Sequence, residues 1–157
     1  MEKTIAILAI AACIAPIAAA QKLSADRWTQ SQIIAKAQEL EPQSHGNDGT
    51  ASAKLTQYPN HFTMIALRHR NGAVEIHDNF ADVFLVVKGH ATLVTGGSVQ
   101  DAKSTGPGEM RGTFIENGKE MKLSPGDVVH IPATLPHQLL MPKGSTFVYF
   151  VVKIKEK

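Results

Sequence analysis

Cys13 is the only cysteine in this 157-residue chain, and it lies within the first twenty residues. A mature chain cut after that leader has no disulfide, no thiol nucleophile and no cysteine for zinc. Charge of one sign is also scarce. Lys and Arg number 16 against 14 Asp and Glu, a net charge of +2 with no long basic run, so nothing marks a nucleic-acid surface. Beyond the leader no segment is apolar for the about 20 residues that a membrane-spanning helix needs. No Gly-x-Ser-x-Gly elbow, Walker loop or Gly-x-Gly-x-x-Gly turn is present. Gly96-Gly97 and Gly106-Pro107-Gly108 read as loops rather than phosphate cradles, and no internal repeat or low-complexity tract occurs. The length suits one domain with one sizeable core.

Ile5 to Ala20 is one apolar run, broken only by Pro16, behind a short segment containing Lys3. It ends in Ala18-Ala19-Ala20 and turns polar at Gln21. That three-part pattern reads as a signal peptide cleaved after Ala20, giving a secreted or periplasmic protein. A second reading is a lipidated Cys13 after Ile10-Ala11-Ala12, which ranks lower because the apolar run continues past the cysteine.

Ser24 to Leu40 reads as a helix capped by Ser24 or Asp26, with Trp28, Ile33, Ala37 and Leu40 on one face and Pro42 beyond its end. Glu41 to Ser52 reads as a turn-rich loop. From Leu55 the texture changes to short β-rich runs: Phe62–His69, Val74–His77, Val83–Lys88, Ala91–Thr95, Thr113–Ile115, Val128–Ile131, Gln138–Met141 and Thr146–Ile154. Many short strands at near-regular spacing predict an antiparallel sandwich or barrel. Asn71-Gly72 and Asn117-Gly118 are hairpin dipeptides. Ser98 to Gly108 reads as the least structured stretch. Val83–Val87 and Phe147–Val152 lack polar alternation, so both faces need cover from a second sheet, the N-terminal helix or a partner subunit. The predicted organisation is a signal peptide over 1–20, a helix and loop over 21–54, and a barrel over 55–157.

Two segments carry the chemistry. Glu75 and His77 are two apart on a predicted strand and leave its same face. Asp82 opens the next strand, and His137 begins another after a Pro-bounded turn. Four oxygen and nitrogen donors at strand ends can converge at a barrel mouth, where ligand sites commonly lie. Imidazole with carboxylate suits Fe(II), Mn, Zn, Ni or Cu, and two histidines with one carboxylate match the facial triad of non-haem iron.

These segments resemble the cupin superfamily. Glu75-x-His77, four residues, Asp82, six residues and Gly89 match the spacing of its first motif, with Glu75 in place of the first histidine and Asp82 in place of the usual glutamate. Gly126, Pro132 and His137 match its second motif, with Thr134 in place of the second glycine and Met141 where a polar residue often closes it. The resemblance implies an all-β fold, a cupin-like double-stranded β-helix or jelly-roll barrel with the N-terminal helix outside. It further implies a divalent transition metal held by His77, Asp82 and His137, with Glu75 completing or lining the site or moving a proton. A metal-free pocket of the same four residues stays open.

Other candidates rank lower. His130, His69, His61, His90 and His45 read as strand-end, turn or loop residues, and Asn79 has the wrong register for a ligand. Tyr58 and Tyr149 read as packing residues, and Asp127 as the cap of the Pro125-Gly126 turn. Two functions follow: a metal-dependent enzyme of oxygenase, lyase or isomerase type acting on a small polar or phenolic molecule, or a non-catalytic binding protein for a small ligand. A homodimer is expected as well, from the strands that need cover.

Overall fold

The N-terminal helix starts where Thr29 and Gln32 cap each other. In the computed structural model, which describes residues 24–46 and 48–156, Gln32 N–H donates to Thr29 Oγ1 at 3.3 Å and Thr29 N–H donates to Gln32 Oε1 at 2.9 Å. This reciprocal pair satisfies two of the free donors at a helix start and fixes α1 as Gln30–Gly46. Neither Ser24 nor Asp26 is the cap; Asp26 instead accepts a hydrogen bond from the Tyr58 hydroxyl. Nor does the helix stop before Pro42. Proline removes one backbone bond, yet the buried stripe Ile33, Ala37, Leu40 continues at helical spacing to Ser44, whose hydroxyl donates to the Glu41 carbonyl at 2.7 Å. The leader, its cleavage point and Cys13 lie outside the described residues. Among the described residues, no helix is long and apolar enough to cross a membrane.

Among the described residues thirteen strands follow: β1 (Thr50–Gln57), β2 (His61–Arg68), β3 (Val74–His77), β4 (Phe80–Lys88), β5 (Ala91–Thr95), β6 (Ser98–Val99), β7 (Lys103–Gly106), β8 (Glu109–Gly112), β9 (Ile115–Glu116), β10 (Lys119–Leu123), β11 (Val128–Ile131), β12 (His137–Leu140) and β13 (Phe147–Lys155). They form a five-stranded sheet in the order β1-β2-β13-β4-β11, a six-stranded sheet in the order β10-β5-β12-β3-β8-β7, and a small β6-β9 pair. Neighbouring strands pair antiparallel throughout these sheets.

Because side chains alternate along a strand, each long strand of the first sheet serves two cores. On β13, Phe147, Tyr149 and Val151 face the second sheet in a core shared with Phe84, Val86, Leu93, Leu123 and Leu139. Val148 faces outward with Ile65, Leu67 and Val87, and there Ile33, Ala37 and Leu40 of α1 cover them. The helix is therefore the cover that much of the doubly apolar surface requires. Leu85 and its cross-strand neighbour Val128 stay exposed, at 38% and 67%.

Several expected boundaries shift. β1 begins at Thr50, inside the segment read as loop, where Ala51 is buried beneath the helix. Ser98 to Gly108 is not structureless: β6 and β7 lie in it and β8 follows at once. Neither Asn-Gly makes a hairpin. The chain passes Asn71-Gly72 from the first sheet to the second, and Gly72 N–H donates to the Leu139 carbonyl at 2.9 Å. At Asn117-Gly118 only the asparagine has positive φ (56°), and β9 and β10 pair with different strands. Corners between sheets take the place of hairpins here.

One corner makes a sharp stability prediction. Gly89 has φ of 81°, and a Cβ on it would stand 2.0 Å from the Thr146 carbonyl oxygen. Gly89→Ala meets both a left-handed backbone and a backbone atom that cannot rotate away. It is expected to lose on the order of 3 kcal/mol of unfolding free energy in urea. An unchanged midpoint would show that the loop before β13 yields freely.

Candidate functional site

The cavity between the two sheets holds about 630 Å³, within the range of small-molecule sites. Register explains which groups enter it. Glu75 and His77 leave the same face of β3, and His137 of β12 is paired directly with Glu75. From the opposite sheet, Asp82 shares the inward face of β4 with Phe84, and Lys153 of β13 is its cross-strand partner. All four predicted site residues thus line one cavity. His77, Asp82 and His137 are among the most buried polar groups, each 2–4% exposed.

Both imidazoles are held from behind. His77 Nδ1 lies 2.7 Å from Glu109 Oε2, the cross-strand neighbour on β8. His137 Nδ1 lies 3.0 Å from the Leu135 carbonyl. An acceptor at Nδ1 places the ring proton there and leaves the lone pair on Nε2. The two Nε2 atoms are buried and have no hydrogen-bond partner. Buried polar atoms of this kind are rare in native proteins and call for an explanation. Here both face the same carboxylates: Asp82 Oδ2 is 3.5 Å from His77 Nε2 and 3.6 Å from His137 Nε2, and Glu75 Oε2 is 3.4 Å from His77 Nε2. One donor atom each from Glu75, His77 and His137 lies within 4.8 Å of the others.

The carboxylates are not equivalent. Lys153 Nζ sits 2.8 Å from Asp82 Oδ1 and donates to Oδ2 at 2.9 Å. Glu75 Oε1 accepts from Arg68 Nη2 at 2.6 Å, and Arg68 in turn donates from Nε to Tyr149 Oη at 2.9 Å and from Nη1 to Thr50 Oγ1 at 3.1 Å. Burial pushes the Glu75 carboxyl up, the charges of Arg68 and Arg111 pull it down, and the group ends well below the usual carboxylate range. For His137, burial is the larger effect and lowers it from its ordinary value, against the pull of Glu75. Burial raises the Tyr149 phenol. Arg111, paired with Glu75 in register, lies 3.7 Å from Glu75 Oε2 and donates to Glu109 at 3.1 Å. Three carboxylates, Glu75, Asp82 and Glu109, therefore face three cations, Arg68, Arg111 and Lys153.

Arg68, Glu109, Arg111 and Lys153 are site residues that the sequence reading missed. Each sits two residues, or a multiple of two, from another inward position on its strand, which is the one signal that could have found them. Tyr149 does more than pack, since its hydroxyl anchors Arg68. Asp127 caps its turn as expected, with Oδ2 accepting from Ser124 N–H at 2.7 Å. Of the lesser histidines, His61 pairs with Asn60 and His90 with Ser124, both away from the cavity, and His130 is exposed on β11.

Thr134 bears on how His77 is held. Its N–H donates to the His77 carbonyl at 2.8 Å while its own φ is 67°, a conformation unusual for a β-branched residue. Its side chain is exposed. Thr134→Gly keeps the N–H and removes about 1–2 kcal/mol of left-handed strain, against a smaller entropic cost. A gain of about 1 kcal/mol in urea unfolding is expected; a loss would show that the threonine side chain is needed there.

No family model matches the chain, and no curated protein matches it in sequence. Solved structures do. The DMSP lyase DddQ of Ruegeria pomeroyi superposes with a TM-score of 0.51 at 14% identity over 69% of this chain, which spans 48% of that lyase's length. An uncharacterised double-stranded β-helix protein of Klebsiella pneumoniae gives 0.52 at 15% identity, over 69% of this chain and 79% of its own. A cupin-2 domain protein of Rhodospirillum rubrum gives 0.50 at 14% identity, over 69% of this chain and 63% of its own. Identities this low speak to architecture alone, and the two facing sheets with their antiparallel register agree with it: the chain has the double-stranded β-helix fold of the cupins.

Proposed function

We propose that this chain is an exported, metal-dependent enzyme acting on a small polar or phenolic molecule in the barrel cavity. The observation that carries the reading is the pair of buried, unpartnered Nε2 atoms of His77 and His137, each ring fixed through Nδ1. That arrangement, with a carboxylate and a carbonyl behind the rings, is what metal-ligating histidines require. The donor set fits a divalent transition ion such as Fe, Mn, Zn, Ni or Cu. His77 and His137 would hold it with the carboxylates of Glu75 and Asp82. Such an ion, when bound, polarises an oxygen of the bound molecule.

The protein's own groups do the remaining work. Arg68 keeps Glu75 ionised, which suits a ligand better than a proton carrier, because a carboxyl held that low is a weak base at neutral pH. The proton-transfer role expected for Glu75 is accordingly set aside in favour of ligation. Lys153 shares the charge of Asp82 and holds it against both imidazoles. Phe84, Leu139 and Val151 line the cavity and keep water from its apolar side. Since the carboxylates and cations already balance, a divalent ion leaves the pocket positive. That favours a molecule that binds as an anion, such as a phenolate, enolate or carboxylate.

The second reading, a non-catalytic binding protein, draws on the same cavity. Elemental analysis of protein purified without chelator comes first, then oxygen consumption and small-molecule turnover by the metal-loaded protein. Turnover lost in folded His77→Ala and His137→Ala supports the enzyme. Tight ligand binding without turnover, unchanged when metal is stripped, supports the binding protein. Export is supported by the leader pattern, and N-terminal sequencing of protein from the native compartment should begin at Gln21. A homodimer through the exposed Leu85 and Val128 belongs to the same proposal, and light scattering that gives a monomer at micromolar concentration removes it.

A further inference from the structure

We propose that Glu41, His45 and His69 form a second divalent transition-metal site, which pins the N-terminal helix to the barrel. It does not depend on the cavity site. Glu41 and His45 stand four apart on α1 and so share one face, one turn from each other. They do so only because the helix runs on through Pro42. His69 follows the end of β2 and is tied there by its N–H, which donates to the Gly49 carbonyl at 2.8 Å.

The three side chains converge. One donor atom from each lies within 4.8 Å of the others. His69 Nε2 is 3.4 Å from Glu41 Oε1, close to the about 3–4 Å that separates neighbouring donors around an ion with bonds near 2 Å. The His45 and His69 rings are stacked, with centroids 5.2 Å apart and planes within 8°. His69 Nδ1 is engaged by Thr146 Oγ1 at 3.2 Å, which orients the ring from behind. Its Nε2 is buried and has no hydrogen-bond partner. An ion pair with Glu41 alone would leave that nitrogen at a distance too long for a good hydrogen bond. A metal ion between the ring and the carboxylate satisfies it.

Chemically the set is two imidazoles and one carboxylate, the ligands zinc, nickel and copper prefer. His45 is exposed and Glu41 partly so, which gives an ion a path from solvent. The ligands come from two separate parts of the chain, the helix and the β2 end. Binding would therefore stabilise the docked helix over any state in which it has left the barrel.

The test is zinc binding to the full chain, read by stoichiometry and by thermal midpoint. In a His77→Ala/His137→Ala double variant, one equivalent of zinc should remain and should raise the midpoint. Adding His45→Ala or Glu41→Gln, both at accessible positions, should weaken that binding at least about tenfold and remove the midpoint shift. Should the double variant fail to fold, His45→Ala in the otherwise natural chain should lower the zinc count by one. Retained zinc that is indifferent to His45 and Glu41, or no zinc at all in the folded double variant, overturns the proposal. Failure of the cavity site would show differently, as a count unchanged by His77→Ala and His137→Ala.

Discussion

His137→Ala is expected to weaken divalent-metal binding in the barrel by more than about 100-fold. Removal of even an outer partner of a ligand costs roughly 10–100-fold, and His137 contributes one of only two imidazoles in the cavity. Glu109→Ala provides the graded control. Glu109 lies behind His77, where it accepts the Nδ1–H hydrogen bond at 2.7 Å and so fixes which nitrogen faces inward. Its loss should cost about tenfold to 100-fold with the donor set intact. Competition with a chromophoric chelator measures both variants on one scale, and circular dichroism establishes that each is folded. Equal, small losses in the two would mean that the imidazoles serve the cavity as ordinary hydrogen-bonding groups. A large loss in His137→Ala beside a modest one in Glu109→Ala is the order that ligation demands.

The site was legible in the sequence as far as one strand reaches. Glu75 and His77 share a face by strict alternation, and Asp82 and His137 stand at the spacings of the two motifs, so each could be named before any contact was known. Their partners could not. Arg111 and Glu109 meet Glu75 and His77 only because β8 pairs with β3 in one register, and Lys153 meets Asp82 only because β13 pairs with β4 in another. Register is a relation between distant segments, and a single strand does not display it. Two strands that show no pattern in the sequence, β7 and β10, share a physical trait. β7 and β10 close the two edges of the six-stranded sheet, and Leu123 is the one buried residue of β10. Without an inward apolar face, Lys-Ser-Thr-Gly and Lys-Glu-Met-Lys-Leu carry no periodicity to read. The helix end was misjudged for the opposite reason. Proline ends an isolated helix, whereas this helix is held on the barrel by Ile33, Ala37 and Leu40 and runs on past Pro42 to Gly46.

Arg68→Met should lower the stability of the metal-free protein by about 3–5 kcal/mol at neutral pH, the range for removing one partner of a buried ion pair. Arg68 is 8% exposed and is the group that holds Glu75, at 2.6 Å. Methionine fills much of the same volume, so the cost falls on the stranded carboxylate and on the Tyr149 hydroxyl that loses its donor. Glu75 keeps 22% of its side chain exposed, which places the expected loss toward the lower end. The pH dependence identifies the cause. In the natural chain the Glu75 carboxyl is held below its unfolded value, so its contribution is fully present above that value and fades as pH falls toward the folded one. Without Arg68 the burial that pushes the carboxyl up meets less opposition. If its folded value then rises above the unfolded one, the variant is penalised most above that raised value and recovers as acid protonates the group. Both changes have the same sign: the gap between natural chain and variant should narrow on going from pH 7 to pH 4. Urea unfolding at the two pH values measures it. A gap that stays constant would trace the loss to packing around the guanidinium, and Glu75 would then not be the charge that Arg68 holds in place.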